Sequence, residues 1–358
     1  MRFIFKTSYD QDIALFKHEG QRFWYALLLV ALLLAPFVVS EYMLSQFVFI
    51  AIYGIVGLGL MLLTGYTGQV SIGHAAFMAV GAYTHALLVA KGWPFLLSIT
   101  AATALSAAVG VVVGLPALRV RGIYLAIATM AFGFIVEEVA ARWESVTGGN
   151  SGLQVSSPVI AGFRFDSTES LYYLCLFFAV LATFAVLNIL RTPTGRAFVA
   201  IRDSEISAQS MGISLARYKT VAFAMSAAFT GLAGALYGHQ IRFLTPEQFT
   251  ILQSIELLLM IVIGGVGSVH GAFFGAAFVI SLPQLIGALQ VLLPEAIANA
   301  TGLRPVLFGT VMIIVVLVEP LGIYGRWLKI RTYFQVFPFY RRGLFRRQRA
   351  FQKSERLR

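Results

Sequence analysis

Three polar side chains stand close together among glycines in an otherwise apolar stretch: Gln69, Ser71 and His74, within Gly65-Tyr-Thr-Gly-Gln-Val-Ser-Ile-Gly-His74. An amide, a hydroxyl and an imidazole in ten residues can hold a small polar solute or one another. Non-helical backbone at membrane depth is tolerated only where protein buries it or water reaches it. The patch therefore reads either as the lining of a solute path or as a helix-packing seam, since small residues let helices approach closely; the two are compatible. His74 has no second ligand at metal-binding spacing, so no metal site is expected. Nor is a cofactor site: the glycines Gly264, Gly265, Gly267, Gly271 and Gly275 lack the strand before them and the acidic residue after them that a dinucleotide fingerprint needs. They read as a helix break, with Gly271 and Gly275 forming a packing face.

A second constellation lies in the polar segment 191–219. Asp203 or Ser204 is a candidate cap, Gly212 a stop, and Ile206, Ala208 and Met211 are apolar residues between them. A short amphipathic helix here, with Arg202, Asp203, Ser204 and Glu205 at its start, reads as a surface for a partner rather than as a solvated loop. No phosphate-binding GxxxxGK[ST] loop, no GxSxG and no HExxH occurs, so the chain has no catalytic residues of these kinds and no ATP cradle of its own. Energy for transport is expected from a separate subunit.

The elements that position these residues follow from composition. Hydrophobic residues make up 58% of the 358, charged residues 12%, and the mean hydropathy is +0.81. A soluble domain carries roughly 25% charge, so the solvent for most of this surface is lipid. The expected fold is an all-α polytopic helical bundle. Ten candidate spans start near Phe23, Gln46, Ala75, Pro94, Ile123, Leu171, Val221, Ile251, Ala272 and Pro305, within a range of eight to ten. The chain divides into an N-terminal arm 1–22, a transmembrane region 23–325 and a basic, aromatic tail 326–358 that suits a lipid interface. The net charge of +11 is unevenly distributed. With ten alternating spans and both termini in the cytoplasm, 22 of the 27 Lys and Arg fall on the cytoplasmic side. The lone Cys175 permits no intrachain disulfide.

Several stretches resemble the permeases of branched-chain amino-acid ABC importers, in order along the chain from about Gly54 to Gly325 and closest to the LivM-like type. They are Gly68–Tyr83, Arg121–Gly133, Thr147-Gly-Gly-Asn-Ser-Gly-Leu153, Gly195–Glu205, Met211-Gly-Ile213, Ala233-Gly-Ala-Leu-Tyr237, Gly264-Gly-Val-Gly-Ser268 and Arg304–Gly309. The resemblance implies an importer-permease fold with broken or short helices in a bacterial inner membrane. It also implies a second permease subunit, two ATP-binding subunits and a periplasmic substrate-binding protein, with the 191–219 loop docking on the ATPase. Two positions depart from the family. Aligning on Gly212 puts Ile206, Ser207 and Ala208 where importer permeases carry a Glu-Ala-Ala triplet, so the glutamate position is apolar. Phe134 stands where relatives often have a glutamate, with Glu137 one turn later. Related permeases carry sugars, amides or aromatic acids, so the solute stays open within this class. A secondary transporter would need a midplane ion site and inverted repeats, and a membrane enzyme would need a catalytic constellation.

Overall fold

The computed structural model describes residues 19–117, 122–160, 162–290, 303–319 and 321–336. Most of the N-terminal arm, Arg119, Arg121 and the tail beyond 336 lie outside them. The chain is a helical bundle: α1 Glu19–Val38, α2 Glu41–Leu60 continued by a π-helical turn Met61–Tyr66, α3 His74–Ala90, α4 Phe95–Ala117 and α5 Ile123–Arg142. Then come α6 Thr168–Arg191, α7 Pro193–Asp203, α8 Glu205–Ser210, α9 Leu215–Ile241, α10 Ile251–Gly264, α11 Val269–Gln290, α12 Leu303–Val318 and α13 Gly322–Val336. The end that carries α7 and α8 is called basal here, and the opposite end the lid.

Among the described residues eight helices are long and apolar enough to cross a membrane, or nine if the bent pair α12–α13 is one span. The expectation of ten full spans is corrected at α3, a helix of only 17 residues. It starts partway through the bundle. Ser226, which its first residue touches, lies eleven residues beyond the basal start of α9, about 16 Å at 1.5 Å per residue. Thr67–Gly73 climbs from the basal end to that level outside any helix.

α9 is the central helix. It packs against α2, α3 and α4, and its buried residues are mostly small: Ala222, Ser226, Ala227, Gly231, Ala233, Gly234, Ala235 and Gly238. Lipid tails are as apolar as leucine, so helices in a membrane associate through close packing rather than through expulsion from water. Small residues supply that closeness. A Cβ at Gly234 would meet the Met78 backbone carbonyl of α3, and one at Gly81 the backbone of Gly231. α1 is peripheral by contrast and held by polar ties. Pro36 has no N–H, which leaves the Leu32 carbonyl free, and Tyr172 of α6 donates its hydroxyl to that carbonyl at 2.8 Å.

The loop between α5 and α6 is not featureless. It folds over the lid end as two antiparallel pairs, β2 Val159–Ile160 with β3 Phe163–Arg164, and β1 Leu153–Gln154 with β4 Phe243–Leu244 after α9. Beneath it, His239 Nδ1 donates to the Ser156 carbonyl (3.0 Å), and its Nε2 lies 2.7 Å from His85 Nε2.

The close approach of α3 to α9 gives a stability test. Gly234→Ala is expected to cost ~1–3 kcal/mol by overpacking against backbone, read as a lower Tm of the detergent-solubilised protein. Gly287→Ala, with nothing within 4 Å of the added methyl, is expected to leave Tm unchanged or raised.

Candidate functional site: the unwound segment and its basal contacts

Once α2 ends, the backbone from Thr67 to Gly73 has lost its helical hydrogen bonds, and the π-helical turn and α5 supply partners for it, while α10 caps the helix that follows. The Thr67 hydroxyl donates to the Leu62 carbonyl (2.8 Å), the Gln69 N–H to the Leu63 carbonyl (3.1 Å), and the Thr64 hydroxyl to the Gln69 carbonyl (3.1 Å). From α5, the Thr129 hydroxyl accepts the Ile72 N–H (3.0 Å) while donating to the Ala126 carbonyl (3.0 Å). From α10, Ser254 caps α3 by accepting the Ala75 N–H at 3.0 Å. The N-cap residue itself, Gly73, has no side chain to do so.

Ser71 and His74 are fully buried and bonded to each other, Ser71 Oγ to His74 Nδ1 at 2.9 Å. His74 Nε2 reaches Ser226 Oγ of α9 at 2.8 Å. A neutral imidazole has one donor and one acceptor nitrogen, and a hydroxyl serves either, so the chain Ser71–His74–Ser226 is satisfied in both tautomers. Gln69 differs. It is 5% exposed, and neither amide atom has a partner among the described residues. Sequence reasoning grouped the three residues. It missed Ser226, Ser254 and Thr129, because single hydroxyls on apolar helices carry no pattern of their own.

An apolar cleft of about 530 Å³ opens between α4 and α5. Val109, Val113, Leu125 and Phe132 line it, together with the same Thr129 that holds Ile72. Phe134, by contrast, is exposed on α5. Glu137 is half-buried beside Glu138, which pairs with Arg142.

At the basal end the 191–219 segment forms two helices rather than one. Pro193 starts α7 with its ring at the first turn, where the missing N–H costs nothing. Ser204 is the cap of α8, accepting the Ser207 N–H at 3.3 Å. Asp203 instead closes α7 and takes both Arg202 Nε (3.1 Å) and Nη2 (3.0 Å). Gly212 ends α8 with φ +82, which an L side chain reaches only with strain. Ile206 and Met211 are 75% and 82% exposed, whereas Ala208 is 3% exposed. The expectation that Ala208 faces outward with them is corrected: it sits under α8, against the chain itself. Glu205 holds α8 down through a 2.7 Å ion pair with the buried Lys219 of α9.

α7 also touches the unwound segment. Arg202 Nη1 donates to the Gly65 carbonyl (3.2 Å), and its side chain lies against Gly68. The turn after α10 meets the same place. Gly265 (φ +116) and Gly267 (φ +85) break α10 from α11, and the Gly267 N–H points to Met61 Sδ at 3.0 Å. A Cβ on Gly264 would overlap Gly271, and one on Gly275 would overlap the Met260 carbonyl, so the five glycines bring α10 and α11 together as well as separating them. Among the described residues no group of three or more His, Cys, Asp or Glu is placed to hold a metal ion.

Residues 42–316 match the family model for the branched-chain amino acid transport system permease component. The chain belongs to that permease family. It is similar to the high-affinity branched-chain amino acid transport permease LivM of Salmonella typhimurium and of Escherichia coli, 35% identical to each over 74% of this chain and 68% of the relative. It is more distantly similar to LivH of S. typhimurium, 25% identical over 76% of this chain and 91% of the relative. No solved structure matches it significantly. Within the permease family match lie the unwound segment, α7, α8 and the glycine break. The chain is thus a multi-pass membrane protein of a transport-permease family, and its curated relatives are transport subunits.

The Lys219–Glu205 pair is what pins α8. Lys219→Met is expected to cost roughly 2 kcal/mol, the range for a charge-assisted hydrogen bond, and to release α8. In a Cys175→Ser background, Ala208→Cys is expected to resist a soluble maleimide in the parent and to react in the Lys219→Met protein, with Gln209→Cys reactive in both.

Proposed function

We propose that this chain is one of two permease subunits of an ATP-driven importer for branched-chain or other hydrophobic amino acids, and that the unwound segment Thr67–Gly73 borders the translocation path. The importer would also contain two ATP-binding subunits and a periplasmic substrate-binding protein. The relatives named for branched-chain amino acid transport support the solute class. In this reading the basal end faces the cytoplasm of a bacterial inner membrane, with both termini there. Basic residues at the basal end, Arg191, Arg196, Arg202, Arg217, Arg326, Lys329 and Arg331 among the described residues, support it.

The observation that carries the reading is the contact of Arg202 with Gly65 and Gly68. A subunit without its own phosphate loop receives work through a surface. Ile206 and Met211 offer one: two large apolar side chains, on a helix outside the spans, exposed to the degree that only a partner or solvent covers them. Force on α8 reaches α7 through Ser204, and α7 bears on the unwound segment through Arg202. The path would therefore be opened by tilting α7 against Gly65–Gly68 rather than by moving whole spans. Gln69 fits this role. A buried amide without partners costs ~1–3 kcal/mol, a cost relieved when water or a passing solute completes its hydrogen bonds.

Two measurements test the two halves. Gln69→Leu is expected to lower amino-acid uptake in reconstituted vesicles about tenfold, ~1.4 kcal/mol in barrier, with copurification of the ATP-binding subunits unchanged; unchanged uptake would make the segment a packing seam alone. Met211→Asp is expected to abolish most of the ATPase stimulation by loaded binding protein and to weaken copurification. Normal values in Met211→Asp and also in Gly212→Val would remove α8 from the coupling route.

A further inference from the structure

α13 is the one basal helix whose outward face the transport reading leaves unused. Its inner side sits on the glycine break: Gly265 packs against the Leu321 carbonyl and Tyr324, and Tyr324 stacks on His270 of α11 with ring planes 4° apart and centroids at 5.5 Å. His270 Nε2 in turn meets the Tyr25 hydroxyl of α1 at 2.6 Å. Glu319, 11% exposed, fastens the bend before α13 by pairing with Lys329 (2.5 Å) and Arg326 (3.4 Å). The pair α12–α13 is bent by 42°.

The outer side has a different composition. Arg326, Trp327, Ile330, Tyr333 and Phe334 are all exposed. Their spacing puts them on a single helical stripe. α13 carries Arg326, Lys329 and Arg331 and has no acidic residue between Gly322 and Val336. Trp and Tyr prefer the level of lipid headgroups, and a basic amphipathic helix binds the interface through buried apolar area plus attraction to anionic lipid. In water this stripe would be an apolar patch next to three cations. At the membrane surface each residue type finds its preferred medium.

We propose that the outer stripe of α13 is a contact for anionic phospholipid, and that this contact sets the position of the Gly264–Ser268 turn on which α7 and the unwound segment also rest. Gly265 meets Tyr324 on one side of the turn, and two residues on, the Gly267 backbone abuts Gly65, where a Cβ on Gly65 would lie 2.8 Å from the Gly267 nitrogen, beside the carbonyl that Arg202 holds. Displacing α13 therefore displaces the seat of Arg202. Headgroup phosphates bind Arg326, the indole and phenol rings enter the interface, and the turn is held toward α7, while Arg331 lies on the inner side with Tyr324, near His270 and Tyr25. Lys329 stays with Glu319, which keeps the bend. The lipid contact stands by itself. The functional consequence rests on the reading of α7–α8 as the coupling element.

The test separates the two. In the assembled complex, Trp327 is kept as the sole tryptophan of this chain (Trp24, Trp93 and Trp143 changed to Phe) and of its partners. The complex is then placed in vesicles containing one-fifth brominated phosphatidylglycerol or one-fifth brominated phosphatidylcholine. Stronger quenching of Trp327 by the anionic lipid is expected, and Arg326→Gln is expected to make the two lipids equal. Equal quenching in the unaltered complex overturns the lipid contact. Absence of quenching by either lipid overturns it too and means a partner subunit covers the stripe. ATPase activity stimulated by binding protein is then measured at rising phosphatidylglycerol content. A severalfold rise is expected in the parent and a flat response in Arg326→Gln, with equal rates for both in neutral vesicles. A rise of the same size in both overturns the coupling to the turn. Met211→Asp is the reference: if it loses stimulation at every lipid composition while Trp327 is still quenched selectively, α8 coupling and lipid contact are each intact as readings.

Discussion

A backbone that leaves the helix inside a membrane must have every N–H and C=O taken up by protein, because lipid offers no partners. In this chain the place is Thr67–Gly73, and its need explains much of what surrounds it. Thr129, Ser226 and Ser254 come from three different helices. Thr129 accepts from Ile72 in the segment, Ser226 meets the His74 imidazole, and Ser254 accepts the Ala75 N–H in the first turn of α3. α5, α9 and α10 are thus tied to the stretch from Ile72 to Ala75, and their mutual positions depend on its geometry. The small residues of α9 serve the same end. They let α3 come close enough to α9 for His74 to reach Ser226.

The segment is also where the basal elements converge. Arg202 holds the Gly65 carbonyl from α7, the turn after α10 presses against Gly65, and α13 presses on that turn from the other side. Glycine fills the contact points because backbone meets backbone there: a Cβ at Gly65 would lie 2.8 Å from the Gly267 nitrogen. Between Gly65 and Gly267 the contact is backbone on backbone, with no side chain to change rotamer, while α7 reaches it through the Arg202 side chain. A permease worked from its basal surface has use for such a junction just where the transmembrane chain is unwound.

How much of this was legible beforehand varies by element. Long apolar runs identified the bundle, and the family motifs identified the class. The polar trio Gln69, Ser71 and His74 stood out because polarity and glycine coincide in one short stretch. The partners of that trio did not, because a serine at position 226 or 254 looks like any other small residue until the helices are assembled. The span count failed at α3 for a related reason. Hydropathy reads Ala75–Ala90 as a span, yet it cannot tell that the residues before it rise through the bundle outside any helix. At α8 the apolar positions Ile206, Ala208 and Met211 were legible as a set, but their directions were not. Pinning by Lys219, fourteen positions away, turns Ala208 inward and leaves the other two outside.

The apolar residue Ile206, at the position where importer permeases place a glutamate, acquires a physical meaning in this setting. Glu205, next to it, is engaged with Lys219 inside the chain, and Asp203 with Arg202. Glu205 is therefore committed to holding α8 on α9, and the outward positions are left to Ile206 and Met211. A surface of that composition favours a partner groove that excludes water over one that supplies an arginine. Its strength would then come from buried area and depend little on salt. Where a neighbouring charge is already used to fix the backbone, the outward contact has to be apolar, and in this chain the sequence departs from its family in that direction.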